Sequence, residues 1–134
     1  MEDYQLILTG KQVLVAEDNP ANRMVMKKLL KKVGIEFEFA ENGQLALENY
    51  QQNHERLHLI LMDCEMPVMD GYNATAVIRQ FEAESGLSRK LIIGLSAHAI
   101  DDLKNKAIEQ GMDDYLTKPI DRDLLYTTLV KYLS

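Results

Sequence analysis

The chain has 134 residues, long enough for one domain around one sizeable core and too short for two comfortable ones. Apolar and charged fractions are ordinary for a globular protein, and no apolar run approaches the length of a helical membrane span, so a soluble domain is expected. The formal net charge of −6 argues against nucleic acid as a direct ligand, and the single cysteine, Cys64, excludes an internal disulfide and any multi-cysteine zinc site.

The opening MEDYQLILTGK carries acidic residues and no basic-then-apolar export pattern, so a cytoplasmic setting is expected. Residues 1–10 fit no periodic pattern and read as a linker or added segment, with a single domain over 11–134. From there, short apolar runs alternate five times with stretches of helical spacing, the pattern of a parallel sheet covered by helices on both faces. Val13 to Ala16 is the first strand. Met26, Leu29, Leu30 and Val33 form the core stripe of the first helix, which Gly34 should stop. Lys27, Lys28, Lys31 and Lys32 fall mostly on one side of it, a solvated face, and Met24 projects opposite the stripe. Ile35 to Ala40 alternates apolar and acidic residues, which assigns the second strand to an edge.

Gly43, Ala46, Leu47 and Tyr50 mark the second helix, and Leu59 to Met62 is a strand apolar throughout. Ala74, Val77, Ile78 and Phe81 mark the third helix, followed by a strand from Leu91 to Leu95. Ile100, Leu103 and Ala107 suggest the fourth helix, Gly111 its end, and Tyr115 with Leu116 a short fifth strand. Asp121, just after Pro119, is a candidate N-cap for a last helix carrying Leu125, Thr128, Leu129 and Tyr132. No output domain is expected within these residues. The predicted fold class is α/β: a doubly wound five-stranded parallel sheet of order 2-1-3-4-5, flavodoxin-like, whose ligands bind outside the carboxyl ends of the strands.

Reading off those ends gives Glu17 and Asp18 after the first strand, Asp63 after the third, Ser96 after the fourth and Lys118 after the fifth. Three acids converging on one point repel one another unless a cation is present. Oxygen-only donors, with no His or Cys in the pattern, suit Mg²⁺. Asp63 is the candidate nucleophile, because a carboxylate can form an acyl phosphate when a metal and a fixed cation offset the incoming charge. Lys118 would be that cation. Pro119 behind it makes the Lys118–Pro119 bond a candidate for the cis form. The Ser96 hydroxyl is placed to hydrogen-bond a phosphoryl oxygen.

These residues resemble the receiver domains of two-component response regulators, especially those of hybrid sensor histidine kinases. The resemblance covers about Lys11 to Leu133 and rests on VLVAEDNPANRMV, LILMDCEMPVMDG, GLSAHA and GMDDYLTKPI. It implies that Asp63 accepts a phosphoryl group, that Asp18, Asp63 and the Glu65 backbone carbonyl bind Mg²⁺ directly, and that Glu17 acts largely through water. It also implies a switch in which Ser96 turns toward the phosphoryl group and Tyr115 follows inward, remodelling the surface of the fourth helix, fifth strand and fifth helix. Glu65 and His98 would sit at rim positions that tune hydrolysis of the acyl phosphate. Partners implied are a histidine kinase and a histidine phosphotransfer domain, docking beside the first helix with Asn19, Asn22 and Met24 nearby. The domain would carry self-phosphorylation and autodephosphorylation chemistry and make no membrane contact, although a parent kinase could be anchored in the inner membrane. Phosphorylation-dependent dimerisation stays open.

Three other readings compete. An aspartyl phosphohydrolase would place its nucleophile after the first strand, not the third. A pseudo-receiver would have lost an acid or the lysine, and all are present. A free-standing single-domain regulator is the alternative to a receiver excised from a hybrid kinase, and the linker-like start favours the excised receiver.

Overall fold

The computed structural model describes the backbone of residues 4–97 and 101–134, with side chains omitted over 101–104. Its elements in chain order are α1 (Tyr4–Leu8), β1 (Gln12–Ala16), α2 (Pro20–Lys32), β2 (Glu36–Ala40), α3 (Gly43–Asn53), β3 (Leu59–Asp63), α4 (Gly71–Ser85), β4 (Leu91–Ser96), α5 (Asp101–Glu109), β5 (Asp114–Thr117) and α6 (Arg122–Leu133). The strands form one five-stranded sheet, all pairs parallel, in the order β2-β1-β3-β4-β5 expected from the sequence.

Successive strand residues face opposite sides of a pleated sheet, so each buried strand feeds two cores. Val13, Val15, Leu59, Leu61, Ile93 and Leu95 pack with Met26, Leu30, Leu125 and Leu129 of α2 and α6. Leu14, Ile60, Met62 and Ile92 pack on the other face with Ala46, Tyr50, Ala74 and Ile78 of α3 and α4. Truncating a fully buried member such as Ile60 to alanine would cost roughly 2 to 5 kcal/mol in lost burial and cavity. Edge strand β2 shows the alternation read from the sequence, with Glu36 and Glu38 outward. Gly34 carries φ of 78° and ends α2, because only glycine takes that left-handed turn at no steric cost.

Short polar caps start the helices that reach the site. Asn19 Oδ1 accepts from Ala21 N at 2.8 Å and Asn22 N at 3.1 Å, with Pro20 at the first helical position of α2. Asp70 Oδ1 accepts from Asn73 N at 2.8 Å to open α4, and Asp121 Oδ1 from Leu124 N at 3.1 Å to open α6.

The amino-terminal segment corrects the expectation of a linker. Tyr4–Leu8 forms a turn and a half of helix packed on α6, with Leu8 fully buried and the Tyr4 and Tyr126 rings 5.0 Å apart. Gly10 N and Lys11 O then bond to Gly34 and Glu36, joining the segment to the start of β2. The five helices expected from the sequence are α2 to α6. Of the fourth expected stripe, Ala107 is buried, whereas Ile100 and the Leu103 side chain lie outside the described residues.

Candidate functional site

Parallel register brings the strand ends to one edge. Ala16 pairs with Met62, Asp63 with Leu95 and Ser96 with Thr117, so Glu17, Asp63, Ser96 and Lys118 emerge side by side. Asp63 closes β3 fully buried. Its carbonyl lies against the first residue of α4, where a Cβ on Gly71 would collide with the Asp63 carbonyl oxygen, so only glycine lets α4 start so close.

Lys118 joins the two buried acids. Its ammonium donates to Glu17 Oε1 at 2.8 Å and to Asp63 Oδ2 at 3.0 Å, across the sheet from β5 to β1 and β3. Asp63 Oδ1 accepts from Glu65 N at 3.1 Å, and Glu17 Oε2 accepts from Asn19 N at 3.2 Å. The Lys118–Pro119 bond is cis, as the sequence suggested. Carboxylate oxygens of Glu17, Asp18 and Asp63 lie within 4.8 Å of one another, with Asp18 the most open to solvent.

One ammonium does not offset two buried carboxylates. Burial, reinforced by the hydrogen-bonded Glu17 alongside and opposed by Lys118, pushes the Asp63 carboxyl up to about 7. Burial also opposes ionisation of Glu17, but hydrogen bonds to Asp63, Lys118 and Asn19 outweigh it and hold that group below its ordinary value. Lys118 is raised, because the bonds to Glu17 and Asp63 outweigh its own burial. The pair therefore keeps a proton to near neutrality. A divalent cation among the three acids would remove the need for it, and the all-oxygen donor set fits a hard ion such as Mg²⁺.

Three features were not foreseen from the sequence. Arg23 Nη1 donates to the Glu17 carbonyl at 3.0 Å and the Asp18 carbonyl at 3.1 Å, fixing the acidic loop to the first turn of α2. The Glu65 side chain reaches from the β3–α4 loop to the end of β4, where Ser96 Oγ donates to its Oε2 at 3.0 Å and Ala97 N to its Oε1 at 3.1 Å. Further along the β3–α4 loop, Val68 is exposed at φ of 70°, a left-handed conformation unusual for a β-branched residue. Tyr115 is buried, 9% exposed, and hydrogen-bonds Ser96. Met24 is 54% exposed on α2. A groove lined by Glu17, Asn22, Val25, Lys118, Pro119 and Ile120 opens beside the site. His98 lies outside the described residues.

Residues 13–130 match the family model of the response regulator receiver domain. Hybrid signal transduction histidine kinase I of Dictyostelium discoideum is 42% identical over 131 residues, covering 92% of this chain and 8% of that protein. The chain spans 5% of a second hybrid kinase of that organism and 13% of the sensor protein GacS of Pseudomonas syringae pv. syringae. Among solved structures, the co-crystal of the Saccharomyces cerevisiae phosphotransfer protein Ypd1 with the receiver domain of Ssk1 matches at 33% identity and TM-score 0.87, covering 95% of this chain and 91% of that one. A receiver domain of a Pseudomonas aeruginosa sensor histidine kinase, with magnesium coordinated in its active-site cleft, matches at 35% identity and TM-score 0.80, covering 93% and 98%. With this sheet order and this set of strand-end residues, the chain belongs to the receiver-domain family of two-component phosphorelays, alongside the receivers of hybrid histidine kinases.

Proposed function

We propose that Asp63 accepts a phosphoryl group from a phosphohistidine on a kinase or a histidine phosphotransfer partner, with Mg²⁺ held by Asp18, Asp63 and the Glu65 carbonyl, and by Glu17 through water. The observation that carries this reading is the buried Asp63 carboxylate with Lys118 Nζ at 3.0 Å and two further acids beside it. The bound ion would supply charge compensation for the acids and the incoming phosphoryl oxygens.

Once Asp63 has lost its proton, a carboxylate oxygen forms the new P–O bond while the P–N bond to the imidazole breaks. The imidazole nitrogen keeps the electron pair of the broken bond. Lys118, already fixed by Glu17, faces the charge that builds on the transferred group, so the ammonium itself does not have to reorganise. Ser96 and the buried Tyr115 beside it would carry the change to the surface of α5, β5 and α6.

A receiver that takes in α1 and is part of a longer hybrid kinase is the preferred context, with a free-standing regulator as the alternative. The partner would dock at the groove beside Lys118 and the exposed Met24 of α2. Met24→Ala should then weaken phosphotransfer without changing modification by a small donor. The site assignment is tested by borohydride reduction of the acyl phosphate and peptide mapping. Conversion of Asp63 to homoserine supports it, and conversion at Asp18, or no conversion in protein shown to be phosphorylated, refutes it.

A further inference from the structure

Ser96 Oγ and Ala97 N stand at the end of β4, one strand from Asp63, and both donate to the same carboxylate. Glu65 Oε1 also lies 3.3 Å from Ser96 Oγ, so the contact is two-pronged. A hydroxyl and a backbone N–H converging on one carboxylate form an anion site. The backbone of Glu65 is meanwhile tied to the nucleophile, its N–H donating to Asp63 Oδ1 at 3.1 Å. One residue thus touches both Asp63 and the donors that a group on Asp63 would use. Tyr115 lies buried next to Ser96 while those donors are taken.

We propose that the Glu65 carboxylate is an internal occupant of the anion site made by Ser96 Oγ and Ala97 N, and that it must swing out before a phosphoryl group on Asp63 can use those donors. This rests on the phosphoacceptor reading of Asp63. It makes phosphorylation an exchange of one anion for another at Ser96, with Glu65 as a positioning residue that slows the forward step and holds the β4 end in its anion-bound arrangement beforehand. A carboxylate and a phosphoryl group cannot share the donors, because both are acceptors and both are negative. Glu65 is itself exposed, so the displaced side chain can turn to water.

Two variants separate occupancy from charge. Glu65→Ala empties the donors, and Glu65→Gln keeps an acceptor oxygen on them while removing the charge. The first readout is the Ala97 amide resonance by NMR in protein never exposed to a phosphodonor: it should shift in Glu65→Ala and stay near the wild-type position in Glu65→Gln. The second is the rate of mass gain with acetyl phosphate and Mg²⁺. Losing two competing hydrogen bonds at an exposed carboxylate should speed Glu65→Ala roughly three- to tenfold, with Glu65→Gln between it and wild type. An Ala97 amide unmoved in Glu65→Ala overturns the proposal. So does equal acceleration of both variants that vanishes at high salt, which would mean rim charge alone. A shifted Ala97 amide with no modification of any protein, by acetyl phosphate or by a phosphohistidine donor, would overturn the phosphoacceptor reading, not the Glu65 contact.

Discussion

Lys118 Nζ and Asp63 Oδ2 stand 3.0 Å apart although 55 residues separate them in the chain, and Glu17 holds the same ammonium at 2.8 Å. Lys118 therefore reaches the Asp63 carboxylate already oriented. Replacing it with methionine removes the charge and keeps most of the volume. Formation of the acyl phosphate from acetyl phosphate should fall roughly 10²-fold, the scale for loss of one preorganised electrostatic partner. Far-ultraviolet circular dichroism should be unchanged. A loss under threefold would mean that Lys118 is only a partner of Glu17.

Asp63 gives the protein an opposite response to pH with and without a divalent ion. In chelator its folded carboxyl sits at about 7, above the ordinary range of an unfolded aspartate, because of burial and the neighbouring Glu17. The folded state then binds the extra proton between those values. This contribution to stability is complete at low pH and is lost as pH rises through about 7. Mg²⁺ held by Asp63 would compete with that proton, so its affinity should fall by up to about tenfold per pH unit below neutrality. Thermal unfolding at pH 5.5 and 8, with chelator and with saturating Mg²⁺, checks both signs. The stabilisation by Mg²⁺ should be the larger at pH 8.

At the opposite end of the sheet, Glu82 is buried and accepts from Tyr50 Oη at 3.0 Å, Lys90 N at 2.7 Å and Arg79 Nη1 at 2.9 Å. Glu82→Ala strands those three donors, although Arg79 keeps Asp113 at 3.0 Å. A loss of about 3 kcal/mol is expected by urea unfolding. The rate of modification at Asp63 should not change, because the network lies at the amino end of β4, away from the carboxyl ends of the strands.

Cys64 follows Asp63 directly but should be chemically silent. Burial pushes its thiol up to about 12. At pH 8 that leaves roughly one thiolate in ten thousand. Ellman's reagent should not react with the native protein over an hour, and should react with one thiol per chain in urea.

Much of the fold is legible because it is local. The apolar runs of β1, β3 and β4 announce strands buried on both faces, and the Glu36, Phe37, Glu38, Phe39 alternation announces an edge. Asp121 is a cap three residues before the N–H it accepts from. Strand ends are likewise readable, and four of them carry Glu17 with Asp18, Asp63, Ser96 and Lys118. Helix α1 is hidden because five residues hold too little periodicity, and its anchor is tertiary, Tyr4 on Tyr126 and Leu8 in the core. The Glu65 bridge to Ser96 spans 31 residues and depends on one side-chain rotamer. Arg23 acts on backbone carbonyls, which leave no mark in the sequence.

The most direct test of the account is the intact mass of the protein after incubation with acetyl phosphate and Mg²⁺, beside Asp63→Asn and a chelator control. The account predicts one added phosphoryl group on the wild type, none on Asp63→Asn and none in chelator. Equal modification of Asp63→Asn would contradict it, as would a wild-type protein that stays unmodified with acetyl phosphate and with every phosphohistidine donor tried.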